Sequence, residues 1–162
     1  MSEKGNPNAN PAAARPAAPA AAPSKSPTHR KLVMTRVFDA PRALVFQAWT
    51  DPKHVAQWWG PHHFTTTVHA WDARPGGAIK LDMKGPDGAV YPMIGRFEEV
   101  VSPERVVLVG AVPDADGKPV FEVRHTMTFT ETGGKTVTRI YDQIQARKAG
   151  SADPENWPDY EI

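Results

Sequence analysis

Polar and apolar positions alternate most regularly in "FEVRHTMTFT" (121–130). Phe121, Val123, His125, Met127 and Phe129 fall on one face of the predicted strand, and Glu122, Arg124, Thr126 and Thr128 on the other. "AIKLDMK" (78–84) repeats the pattern, with Ile79, Leu81 and Met83 opposite Lys80, Asp82 and Lys84. Further strands are predicted within 31–40 and over 64–73, 90–101, 106–112 and 136–145. The turns between them are "RPGG", "GPDG", "SPER", "PDADGKP" and "ETGGK". Pro92, near the start of its strand, predicts an edge or a bulge there.

A helical period occurs once, in "DAPRALVFQAWTDP" (39–52). Asp39 is placed to cap and Pro41 to open the first turn, with Leu44, Val45, Ala48 and Trp49 on one face. "TDP" stops that helix and caps a shorter one over 53–58. The order is thus one strand, two short helices and about six antiparallel strands, an α+β layout. Two short helices leave much of a sheet face bare, so a further helix is expected after the last strand.

Composition adds limits. The chain has 162 residues, a net charge of +1 and no cysteine. Such a balance gives no field that would draw in nucleic acid, and no thiolate chemistry is available. No apolar run is long enough for a membrane span. Residues 1–28 are rich in Ala and Pro, with prolines too frequent for a helix to propagate, and are expected to form a disordered arm. The domain then covers 29–145, and 146–162 is expected to be an irregular polar tail. A cytoplasmic protein is the expectation.

"RVFDAPRALVFQAWTDPKHVAQWWGP", "WDARPGGAIKLDMKGPDG", "GRFEEVVSPERVV" and "TMTFTETGGKTVTRI" follow one another in order. Together they resemble the family named for the C-terminal domain of activators of the heat-shock protein 90 ATPase, a branch of the START-like (SRPBCC) superfamily. The resemblance spans about residues 30 to 145. It implies a helix-grip fold, in which a curved antiparallel sheet of six to seven strands wraps a long C-terminal helix, with an apolar cavity between them. In this chain "QARKAGSADPENWPDYEI" follows Ile144, and Gly150, Pro154 and Pro158 break any long helix. A sheet face left uncovered would favour self-association.

Candidate chemistry is sparse. "HVAQWWGPHHF" (54–64) concentrates indoles and imidazoles. Trp58 and Trp59, being adjacent, are expected to divide between core and rim, with Gly60 and Pro61 forming a corner. His62 and His63 are expected to diverge, which suits no shared metal ion. His125 is the one polar residue on its strand's apolar face. A core histidine bonded to a carbonyl or hydroxyl is one reading; a polar anchor for a ligand, or an acid–base group, is the other. The sequence pairs no second catalytic group with it. Nucleophile elbow, phosphate-binding loop and HExxH helix are all missing. The leading expectation is a module that binds a small apolar or aromatic molecule, without cofactor or metal. Its cavity is expected to be lined from Trp49, Trp58, Trp59, Trp71, Met83, Tyr91, Met93, Phe97, His125 and Met127. The resemblance also implies a co-chaperone-like interaction module, or an enzyme of cyclase or dehydratase type with His125 as acid–base.

Overall fold

A computed structural model describes residues 29–146. The N-terminal arm, the polar tail and any helix beyond the last strand lie outside these residues. Seven strands form one antiparallel sheet: β1 (His29–Phe38), β2 (Thr65–Trp71), β3 (Ala78–Lys84), β4 (Val90–Val101), β5 (Arg105–Pro113), β6 (Pro119–Thr132) and β7 (Lys135–Ala146). Their spatial order is β1-β7-β6-β5-β4-β3-β2. Strands β2 to β7 therefore run as a meander, and β1 adds beside β7. The sheet is curved, as the helix-grip architecture requires.

Helices α1 (Arg42–Thr50) and α2 (Pro52–Trp58) connect the two edge strands, crossing one face of the sheet. Helix α1 touches β6 and β7, and α2 touches β2. The face they cross holds the core. Val45, Phe46 and Val55 of the helices pack on Ile79, Leu81, Phe97, Val106, Leu108, Met127, Phe129 and Ile140 of the strands. Burial of these side chains is the main stabilising term, at about 1.5–3 kcal/mol each.

Two local expectations change. Helix α1 is entered from Pro41 in extended conformation, with no side-chain cap from Asp39. Its buried residues are Val45 and Phe46, whereas Leu44 is 52% exposed. Phe46 takes the inward place because it meets Phe129 edge-on, with ring centroids 5.4 Å apart. Asp51 caps α2 as expected, accepting from the Lys53 amide. Pro92 sits where β4 has β3 beside it but has run past its pairing with β5, so its missing N–H costs no ladder bond.

The β6–β7 hairpin turns through Gly133 and Gly134, whose φ angles are 59° and 76°. Two consecutive positive φ values define the tight turn that matches strand twist, and glycine adopts them freely. Thr132 pairs with Lys135, and this register governs the whole hairpin.

Candidate functional site

The tryptophans come together around the C-terminus of α1. The last carbonyls of a helix have no partner within it. Here the Asp51 amide bonds the Gln47 carbonyl, Trp58 Nε1 bonds the Ala48 carbonyl at 2.9 Å, and Trp71 Nε1 bonds the Trp49 carbonyl at 3.1 Å. Two indoles thus cap α1 from the side. Their rings continue the packing: Trp49 lies 4.5 Å from Trp58 and 6.4 Å from Trp59, and Trp59 lies 5.2 Å from Trp71, all at steep interplanar angles.

Trp58 and Trp59 do not divide between core and rim. Both are half-buried and both join the cluster. Helix α2 ends at Trp58, and Trp59 has extended backbone (φ −71°, ψ 135°), so the usual rotation between neighbouring helical residues does not apply. Gly60 makes the corner at φ 105°, a value that an L side chain would strain to reach, and Thr66 Oγ1 holds the Trp59 carbonyl. His62 and His63 do not diverge either. His63 takes φ 67°, which brings the two exposed rings to 3.9 Å. Among the described residues no group of three His, Asp or Glu side chains could hold a metal ion.

His125 lies on the inner face, as its strand parity predicts, between Leu108 of β5 and Asp142 of β7. Its Nδ1 is 2.8 Å from Asp142 Oδ1. The two side chains are 20% and 10% exposed. An ionised carboxylate only accepts, so Nδ1 is the donor and carries the proton. Among the described residues nothing bonds Nε2. Trp59 stands edge-on to the imidazole at 5.9 Å. The expectation that no second group pairs with His125 is therefore overturned: the partner is a buried carboxylate. A signal for it exists in the sequence. Counting seven residues back from Thr132 and seven on from Lys135 across the Gly-Gly turn places His125 opposite Asp142.

The other candidates separate into three groups. Phe97 and Met127 are fully enclosed, and Met93 and Trp71 nearly so; all four belong to the packed interior. Met93 reaches across Gly110, where a Cβ would collide with its methyl end. Met83 is half-buried beside Gly60. Tyr91 is 45% exposed and meets Phe64 at 5.8 Å, with no tryptophan ring contact among the described residues. Trp49, Trp58, Trp59 and His125 remain together with accessible surface.

The opposite face carries a shallow hollow of about 470 Å³, lined by Ala70, Lys80, Ile94, Val109, Ala111 and Glu122 among others, with none of the ten candidates. Small side chains leave it open. It contains no aromatic ring, and its charged groups stand at the surface. Nearby, Glu98 bonds Arg124 at 2.8 Å and Arg96 at 3.1 Å, pairs exposed enough to add little stability.

A curved antiparallel sheet of seven strands, with two short helices between its first two strands, defines a START-like helix-grip protein. The chain belongs to the family described as Activator of Hsp90 ATPase homolog 1-like protein, whose model matches residues 39–160. Among solved structures it is similar to protein CV1439 from Chromobacterium violaceum, at 29% identity over 78% of this chain and 85% of that one, with a TM-score of 0.68. Protein Ms6760 from Mycobacterium smegmatis is 30% identical over 72% and 76%, with a TM-score of 0.61. A protein from Rhizobium leguminosarum is 25% identical over 79% and 84%, with a TM-score of 0.66. No curated protein matches the chain. No helix of the described residues is long and apolar enough to cross a membrane.

Proposed function

We propose that the protein binds a small aromatic or apolar molecule on the inner face of its sheet, against Trp59 and His125. The observation that carries this reading is an imidazole oriented by Asp142, with an Nε2 that has no partner among the described residues and with Trp59 edge-on to it, on a largely apolar face. The His125 side chain is 20% exposed, so a ligand can reach Nε2. Asp142 fixes the ring, and among the described residues the second nitrogen is left to a ligand, as a polar anchor in an apolar site should be. The hollow on the opposite face offers room without such an anchor.

Amide and indole NMR shifts, followed during titration with a panel of aromatic compounds, test the reading. Saturable changes are expected at Trp59 and at the His125 ring. Changes confined to Ala70, Lys80, Ile94 and Glu122 would move the site to the other face and end this proposal.

The same dyad favours a second reading, proton transfer to or from a bound ligand. Nε2 would take the proton, and Asp142 would stabilise the imidazolium that forms. Exchange of a ligand proton for solvent deuterium should then be accelerated by the protein and slowed at least tenfold by Asp142→Asn. Equal rates would remove catalysis from consideration. The family's name does not by itself assign a chaperone partner, because function follows the site and not the fold.

A further inference from the structure

We infer that the ligand of this site is a planar aromatic bearing a hydroxyl group, whose O–H donates to His125 Nε2; the inference rests on the binding role proposed for the inner face. Asp142 accepts from Nδ1, so in the neutral ring the proton sits there and Nε2 presents a lone pair. That atom calls for a donor. In register, His125 is flanked by Leu108 and Asp142, and along its strand by Val123 and Met127, none of which supplies one. The indole N–H groups of Trp58 and Trp71 are committed to α1 carbonyls. Those of Trp49 and Trp59 have no partner among the described residues. A hydroxyl oxygen can accept from an indole N–H and donate to an imidazole at once, which a ketone, an ether or a carboxylate cannot.

Charge points the same way. Asp142 lies one hydrogen bond behind the imidazole and is itself buried. A carboxylate ligand brought to Nε2 would face that negative charge, and no cation is among the register neighbours. A neutral hydroxyl meets no such opposition. The surrounding rings favour a flat partner. Trp59 already makes steep ring contacts with Trp49, Trp71 and His125 at 5.2–6.4 Å, the spacing at which a further aromatic edge or face adds favourable contact.

Four probes of one ring system test the inference on the full chain by isothermal titration calorimetry: 2-naphthol, 2-methoxynaphthalene, naphthalene and 2-naphthoate. 2-Naphthol should bind about tenfold tighter than its methyl ether, the factor expected for one hydrogen bond that the ether cannot make. In His125→Phe, which keeps a ring without nitrogen, the two should bind alike. An ether or carboxylate that binds as well as the naphthol would overturn the hydroxyl assignment while leaving the binding role intact. An advantage that survives in His125→Phe would do the same. Saturation by none of the four would instead remove the binding role, and the inference with it. Should His125→Phe not fold, the ¹⁵N shift of His125 Nε2 in the unaltered protein decides. It should move on adding 2-naphthol and hold still with the ether; any other pattern counts against the hydroxyl.

Discussion

Uncoupling His125 from Asp142 should show how much the dyad contributes to the fold. The contact is 2.8 Å long, and the side chains are 20% and 10% exposed, so solvent screens it little. A hydrogen bond to a charged group in such a place contributes about 1.5–3 kcal/mol. His125→Phe removes the donor and leaves the Asp142 carboxylate buried with its acceptor capacity unmet. Asp142→Leu leaves the Nδ1–H with nothing to bond. Each single change should therefore cost about 2–3 kcal/mol. Replacing both by apolar groups removes the orphaned partner, so the double variant should be more stable than either single one. For a domain of roughly 120 residues, 1 kcal/mol corresponds to about 3–5 °C. Each single variant should then melt roughly 6–15 °C lower, and the double variant should regain much of that. Circular-dichroism melts and guanidinium titrations of the four proteins give the coupling energy directly. Stability changes that add to within about 0.5 kcal/mol would mean that the two side chains do not interact, and the dyad would have to be abandoned.

Two buried threonines of β7 should respond with different sign. Thr136→Val removes the 2.7 Å bond to the Ala40 carbonyl and should cost about 1–2 kcal/mol, whereas Thr138→Val deletes a buried hydroxyl with no partner among the described residues and should be neutral or stabilising by up to about 1 kcal/mol in denaturant titrations. Trp58→Phe and Trp71→Phe each strip a side-chain cap from α1 and should cost about 1–2 kcal/mol, more than Trp59→Phe; the reverse order in guanidinium unfolding would show that the caps contribute nothing. Gly95→Ala drives a Cβ into the Val109 backbone carbonyl, while Gly110→Ala meets only the flexible end of Met93. The first variant should give little folded protein on expression, and the second should fold with a loss of about 1–3 kcal/mol.

Much of the site was legible because a strand has a fixed period. Alternation over 121–130 put His125 on the apolar face, and the structure places it there between Leu108 and Asp142. Its carboxylate partner was also within reach. "ETGGK" is a two-glycine hairpin, and a tight turn sets the register of both strands that leave it. The same parity that sorts Ile140 inward sorts Asp142 inward too.

The tryptophans were a different kind of problem. Their number and adjacency could be read, but not their work. Trp58 and Trp71 bond carbonyls of α1 from 10 and 22 residues away. No local pattern announces such a cap, because it depends on where α2 and β2 lie once the core has closed. The expected divergence of His62 and His63 failed for a related reason, since one positive φ at His63 redirects the chain.

By itself the sequence determined the elements from β1 to β7, their order, the inward faces of β3 and β6 and, through the Gly133–Gly134 turn, the pairing that joins His125 to Asp142. These are consequences of backbone period and turn geometry, which act over a few residues. Tertiary structure alone decided which indoles are committed to capping α1, and that Trp59 stands beside an imidazole whose Nε2 has no partner among the described residues. Those facts depend on how two helices settle on a curved sheet, where each hydrogen bond joins residues far apart in the chain.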